Sequence, residues 1–290
     1  MDNPFRGIAL LVAATMLFSI SDALAKLLGQ SLPALEIGVF RYMVFLLMAV
    51  IFCLQARVRP WRVAAPAMQI MRAVGLVASA MFFIQALRLM PLADAASVGF
   101  VSPLFITVLS VPMLGEVVGL RRWSAVAVGF IGALIVMRPG TGAFQVASLW
   151  VVASSSTWAL ASVLTRRIAG RDHAATTLLW SSSVGLLIVL LLLPLVWVVP
   201  TAHDLVLCAA LGFIASSGQF LLVQAYRHAG AATLAPFSYV QLAWSVGLGY
   251  LLWGTLPDRW TWVGAAVIVS SGIYTVHRER VRARERKISR

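Results

Sequence analysis

Four ionisable side chains, Asp22, Lys26, Glu36 and Arg41, sit at the facing ends of two long apolar runs joined by a short polar connection. A charge inside a bilayer costs at least about 2.5 kcal/mol on insertion scales, so such residues pair, face a cavity or carry function. Asp22 and Lys26 are one helical turn apart and share a face. Glu36 and Arg41 enter the second run from the same side, so all four can meet at one depth. Two acids and two bases sum to zero, which predicts mutual pairing, with Lys26 as the nearest partner of Asp22. Two chemistries suit this set. One is a structural ion-pair network that fixes two helices; the other is a gate or coupling site, where a solute or proton competes with the internal pairs.

The elements that carry these charges are set by composition. Of 290 residues, 61% are hydrophobic and 11% charged, against roughly 25% charged in an ordinary soluble domain. The apolar stretches run unbroken for about 17–25 residues, the length of membrane-spanning helices and not of alternating barrel strands. Ten spans are predicted, at about 8–29, 34–55, 67–89, 92–113, 122–138, 148–168, 174–199, 204–227, 231–253 and 260–277. The expected fold class is therefore an all-α polytopic membrane protein. The net charge of +13 belongs to loops and tail and implies no nucleic acid partner. Cys53 and Cys208 fall inside apolar runs and read as small buried residues, without disulfide or metal spacing.

With the N-terminus in the cytoplasm, seventeen Lys and Arg fall on the inner side and three, Arg88, Arg138 and Arg259, on the outer. That bias places both termini in the cytoplasm. A repeat appears at a shift of 139–140: Gln85-Ala86-Leu87-Arg88 returns as Gln224-Ala225-Tyr226-Arg227, Leu114-Gly115 as Trp253-Gly254, and Trp123 as Trp262. Two halves, 1–143 and 144–290, then hold five spans each. Five is odd, so the second half enters from the opposite side. Such inverted repeats characterise alternating-access carriers with a site between the halves near the midplane.

On these residues the chain resembles a ten-helix member of the drug/metabolite transporter superfamily, in its EamA-type branch. The likeness rests on Ser21-Asp22-Ala23 to Lys26, Phe40-Arg41-Tyr42, Gln85-Ala86-Leu87, Ser102-Pro103-Leu104, Leu114-Gly115-Glu116, and Gly129 with Gly132. Thr255 departs from the pattern, standing where an acid is expected after Gly254, and Leu242 stands opposite Pro103. The resemblance implies a transporter of small organic solutes, with helices one to four and six to nine around a central cavity and helices five and ten peripheral.

The expected cavity lining is polar and mostly uncharged: Trp158 in span six, Gln85 in span three, Gln219 in span eight, and Tyr239, Gln241 and Trp244 in span nine. Most intramembrane serines, including Ser154–Ser156 and Ser181–Ser183, are expected to serve helix packing. Pro103 lies within span four and is the candidate hinge, since proline removes a backbone hydrogen bond and frees a carbonyl. Asp94, behind Pro91, is expected to cap its helix, and Arg72 to snorkel to the cytoplasmic surface. The four histidines lie at or beyond span ends, which leaves no Ser–His pair or histidine metal cluster. No enzyme activity, no cofactor and no metal is expected.

The function that follows is an inner-membrane secondary transporter for a small polar or amphipathic metabolite, of which the resemblance points to S-adenosylmethionine or a vitamin such as riboflavin. The alternatives are an exporter of amino acids, their derivatives or drugs, and, more remotely, a channel or structural membrane protein. Expected partners are the small-molecule substrate, the lipid bilayer, and a proton or other coupling ion, with the chain a monomer or homodimer.

Overall fold

The protein is seen in a computed structural model that describes residues 4–58, 63–115, 119–138, 146–168, 171–229, 234 and 237–288. Its helices are α1 (Pro4–Leu28), α2 (Ala34–Ala56), α3 (Pro66–Leu89), α4 (Leu92–Gly99), α5 (Ser102–Leu114), α6 (Leu120–Met137), α7 (Ala147–Ile168), α8 (Ala174–Leu192), α9 (Ala202–His228), α10 (Val240–Trp253) and α11 (Arg259–Ile288). Hydrocarbon offers no partner to a backbone amide, so apolar runs of this length close their hydrogen bonds internally as helices. Seven are long and apolar enough to cross a membrane, α4 and α5 counting together as one; α6 and α10 add shorter apolar helices. With the apolar start of α11 they make ten crossings in an all-α fold.

The outside of the bundle is apolar, and its interior mixes apolar side chains such as Leu28, Ile84 and Leu211 with small polar ones. Leu54, Leu191 and Leu251 are 72%, 70% and 77% exposed, whereas Ser19, Ser97, Ser182 and Gln69 are fully buried. The interior serines stitch helices together. Ser79 and Ser154 join α3 to α7 at 3.1 Å, Ser19 and Ser245 join α1 to α10 at 3.3 Å, and the Ser271 hydroxyl of α11 donates to the Ala125 carbonyl of α6 at 2.5 Å.

Contacts between loops and helix ends sort into the two faces predicted from charge. On the arginine-poor face Arg88 Nε donates to the Gly29 carbonyl at 2.7 Å, the Val198 N–H to Glu36 at 3.2 Å, and Ser31 to Asp204 at 2.8 Å. On the arginine-rich face the Ala64 N–H donates to Asp172 at 2.8 Å and Arg167 to the Met113 carbonyl at 2.6 Å. The repeat is equally plain in the packing. The principal pairs are α1–α9 and α3–α7, α2–α8, α6–α11, α4–α10, and α1–α10 with its counterpart α5–α7. Advancing each helix by one five-span repeat converts every pair into itself or into another of the set, as a two-fold relation between halves requires. The same relation holds in the turns: Gly115 and Gly254 end α5 and α10 with φ of 68° and 65°, a left-handed cap that glycine adopts without strain.

Three expected boundaries change. Span four is two helices, broken at Phe100–Val101. Span seven ends as a helix at Leu192, passes through a short 3₁₀ turn at Leu193–Leu195, and yields a loop that reaches back to Glu36. In span nine, residues 231–233 and 235–236 lie outside the described residues. α11 continues through the basic tail to Ile288 instead of stopping near 277.

α6 and α11 pack on each other apart from the main contacts of the other helices, as expected for helices five and ten. They approach backbone to backbone. A Cβ on Gly132 would lie 2.8 Å from Ile268 Cγ1 and 2.9 Å from the Gly264 carbonyl oxygen. Gly132→Leu should therefore separate the two helices and lower stability by about 1–3 kcal/mol, the usual cost of overpacking. Gly247→Leu is the control, because nothing lies within 4 Å of a Cβ there. Melting followed by size-exclusion chromatography should distinguish them; equal midpoints would mean that the α6–α11 seam yields freely.

Candidate transport site

The direction of the first-span charges follows from what flanks them. On α1, Gly7 and Phe18 pack against α9 at Ala229 and Gly218, while Ser19 bonds to Gln241 and Ser245 of α10. Asp22 falls between these two contact lines on the helix and looks into the bundle, where its carboxylate meets the Gln241 side chain. On α2, Phe40 and Val44 lie against Gly212 of α9, while Gly38 and Tyr42 lie against Met81 of α3 and Gly185 of α8. Arg41 again falls between the two lines and faces the interior. Asp22 and Arg41 act on each other electrostatically, yet no ion pair joins them among the described residues.

The expected four-charge network is not formed, because stronger local demands claim two of its members. Lys26 turns from Asp22 to the C-terminal end of α3, donating to the Leu87 carbonyl at 2.9 Å and the Met90 carbonyl at 2.5 Å. The last turn of any helix leaves carbonyls without internal donors, and a cation there is favourable. The Trp253 ring lies 5.5 Å from the ammonium, with Asp94 as its acidic neighbour. Glu36 is fully buried in the first turn of α2, with one carboxylate oxygen accepting from the Val198 N–H and the other without a partner. It belongs to a second acidic site beside Asp204, away from Arg41.

Two secondary expectations also give way. Asp94 does not cap α4: Pro91 holds the cap position, and one Asp94 carboxylate oxygen is buried without a hydrogen-bond partner. Arg72 does not snorkel. It is 8% exposed and donates to the Thr165 hydroxyl at 2.6 Å, to the Thr177 carbonyl at 3.5 Å and to the Ser181 hydroxyl, tying α3 to α7 and α8. Beside it Gln69 donates to Asp172 at 2.8 Å and Thr177 at 3.1 Å. Glu116 lies outside the described residues.

Pro103 occupies the first turn of α5, a position that needs no amide hydrogen. The break lies just ahead of it, and the Gly99 carbonyl freed there accepts from Ser102 at 2.6 Å and from Ser155 of α7 at 3.3 Å. Phe100 in the break and Tyr239 at the start of α10 are related by the 139-residue shift, and their ring centroids stand 4.9 Å apart. The two halves thus meet at their irregular helices. The aromatic pair was missed from sequence, although the shift itself points to it. The Tyr239 hydroxyl reaches on to the backbone of Gly272 in α11.

The remaining lining residues are distributed around the interior. Trp158 lies on the face of α7 that buries Val151, Ser154 and Ser155, opposite the lipid-facing Leu149, yet it is 42% exposed. That face therefore opens onto accessible space within the bundle. Trp244 is one turn beyond Gln241 on α10, and its indole Nε1–H is buried without a partner. Gln219 is half-buried on α9. Gln85 stands apart near the end of α3, where its amide oxygen accepts from Arg88 at 3.3 Å.

The two ends of this space differ. On the arginine-poor face α1 and α3 touch and are tied by Lys26 and Arg88, whereas their repeat counterparts α7 and α9 show no comparable packing among the described residues. The arginine-poor face is closed further by Arg138, which pairs with Asp258 at 2.5 Å. Burial works against the charge of Asp258, but the Thr261 N–H and hydroxyl, with Arg138, hold its carboxyl below the usual range.

Inverted five-helix repeats, broken helices meeting at the centre and a polar interior sealed at one end define a multi-pass membrane transporter. The EamA-like transporter family model matches the chain twice, over residues 5–138 and 145–276, and the chain belongs to that family. It is similar to the S-adenosylmethionine uptake transporter of Rickettsia prowazekii (strain Madrid E), at 25% identity over 94% of this chain and 93% of the relative. Its similarity to the pseudopaline exporter CntI of Pseudomonas aeruginosa (strain UCBPP-PA14) is 30% over 91% and 93%, and to the riboflavin transporter of Rhizobium johnstonii 29% over 96% and 93%. A solved crystal structure superposes with a TM-score of 0.63 over 95% of this chain and 98% of its own, at 21% identity, and supports the fold alone.

Proposed function

We propose that the chain is an inner-membrane secondary carrier with both termini cytoplasmic, moving a small polar or amphipathic metabolite by alternating access. The observation that carries this reading is the inequality of two ends that the repeat makes equivalent. Among the described residues α1 and α3 are tied together at the arginine-poor end, which this reading takes as the outer face, while α7 and α9 show no comparable packing at the other end. A carrier needs such a pair of ends that close in alternation. In this reading the structure is the inward-facing state, and Lys26 with Arg88 forms the outer gate. Asp22 and Arg41 face the substrate, Trp158, Gln219, Gln241 and Trp244 line its cavity, and the break before Pro103 is the hinge. Tyr239 holds the two irregular helices together, and Gln85 joins the site when the outer end opens.

The buried Glu36, with one oxygen unpartnered beside Asp204, is the best-placed carboxylate to bind a coupling proton. The carrier works as a monomer or homodimer. Uptake of S-adenosylmethionine is the preferred activity, supported by the relative from Rickettsia prowazekii; export of an amino-acid derivative is the second reading, favoured by the likeness to the pseudopaline exporter. Purified protein in lipid vesicles should show saturable uptake of labelled S-adenosylmethionine that accelerates when the vesicles are preloaded with unlabelled compound. Linear, unaccelerated flux would point to a channel. Reporter fusions at Met1 and Arg290 should both give cytoplasmic signals, and an outer signal from either would reverse the assignment of faces.

A further inference from the structure

Asp22 and Arg41 are opposite charges on consecutive helices, both on faces turned to the interior, that act on each other electrostatically without forming an ion pair among the described residues. Neither is consumed by the fold. Asp22 has one side-chain partner, the Gln241 amide, whereas an ionised carboxylate can accept about four hydrogen bonds. Arg41 is half-buried and makes no hydrogen bond with any described residue, although a guanidinium offers five donors in a planar fork. A third unspent group is the Trp244 Nε1–H, buried without a partner one turn along α10 from Gln241. The other intramembrane cations are committed: Lys26 to the end of α3 and Arg72 to the α3–α7–α8 junction.

We propose that this gap receives the α-amino-carboxylate head of the substrate, the carboxylate on the Arg41 fork and the ammonium on Asp22, with Trp244 offering its N–H to the remainder. The assignment rests on the carrier reading and narrows its substrate class. A zwitterionic head satisfies both charges at once and adds no net charge to the interior, whereas a neutral ring system leaves both unpaired. Sites built with polar groups that a ligand must satisfy reject analogues lacking the matching group strongly. The guanidinium fork matches a carboxylate through two parallel hydrogen bonds, a geometry lysine does not reproduce.

The test is equilibrium binding of labelled S-adenosylmethionine to the full chain in lipid nanodiscs, displaced by the unlabelled compound, its decarboxylated form, its deaminated form, L-methionine and riboflavin. Removal of either head group should weaken binding at least tenfold, and methionine should bind through the head alone. Arg41→Gln should weaken S-adenosylmethionine by the same factor while leaving the decarboxylated form as tightly bound as in the natural chain. Asp22→Asn should do the same for the deaminated form. Because the ligand-side deletions use the unaltered chain, they decide the matter even where a variant folds poorly. Equal binding of all the forms, an Arg41→Gln loss common to every ligand, or binding of riboflavin alone overturns the assignment. Accelerated exchange in vesicles reads the carrier function separately. If riboflavin exchanges while no amino-carboxylate binds, the head group is wrong and the carrier stands; if the binding pattern holds without exchange, the carrier reading fails and the head group stands.

Discussion

Lys26→Met is expected to open the arginine-poor end of the transporter and to abolish most net transport while leaving the protein folded. The ammonium makes the two hydrogen bonds that hold the end of α1 against the end of α3, at 2.9 and 2.5 Å. A hydrogen bond to a charged group contributes about 1.5–3 kcal/mol, so each of the two lost shifts an inward–outward equilibrium by about tenfold to a hundredfold. Methionine keeps the apolar stem against Trp253 and removes only the charge. In a chain with Cys53 and Cys208 replaced by serine, a cysteine at Gln219 should react with an impermeant maleimide from the outer side at least tenfold faster when Lys26→Met is added. An unchanged rate would show that Lys26 does not hold the seal. The exchanged pair Asp22→Lys with Lys26→Asp should not restore transport, because an aspartate at 26 would face the same two carbonyls and repel them. Recovery by the exchange would restore the direct Asp22–Lys26 pairing that helical spacing alone suggests.

Arg72→Ala should cost substantial stability, because it removes the junction of α3 with α7 and α8. Its guanidinium is the common donor for Thr165 and Thr177 and for Ser181, on two helices other than its own. Both hydroxyls keep another bond, Thr165 to the Ala161 carbonyl and Ser181 to the Thr177 carbonyl, each at 2.7 Å. The loss is therefore that of charged donors and buried volume, about 2–4 kcal/mol, and not that of an orphaned charge. Arg72→Met should recover part of it, because the stem still packs. Melting curves and initial transport rates should fall together across Ala, Met and Lys variants. A variant that melts normally and does not transport would move Arg72 from the scaffold to the solute path.

Pro103 shows how near sequence reasoning came to the break in span four. A proline inside an apolar span announces irregular backbone, but the break settled at Phe100–Val101, where α5 could start afresh with the proline in its first turn. Its partner in the other half, Tyr239, has no proline at the matching position, so only the fold reveals that the two irregular points touch. The expected pairing of Asp22 with Lys26 failed for a related reason. Helical spacing says which side chains can meet on one helix, not which foreign groups lie closer. Two unsatisfied carbonyls at the end of α3, 61 and 64 positions away, outbid a neighbour one turn off. Glu36 likewise answers to Val198, 162 positions on.

Sequence alone determined the membrane class, the number of crossings, the two faces and the doubled architecture. Each depends on one-dimensional quantities, the length of an apolar run against the thickness of hydrocarbon, the side on which arginines collect, and an odd number of spans per repeat. Tertiary structure decided which charges are spent and which remain available. Arg72 and Arg41 are both single arginines inside apolar helices, indistinguishable by local pattern. Thr165 and Ser181, 93 and 109 positions away, claim the first, while packing on either side of the second leaves it turned to the interior without a hydrogen bond among the described residues. In a medium without water to satisfy it, a buried cation takes whatever acceptors the fold brings near, and that proximity is not written along the chain.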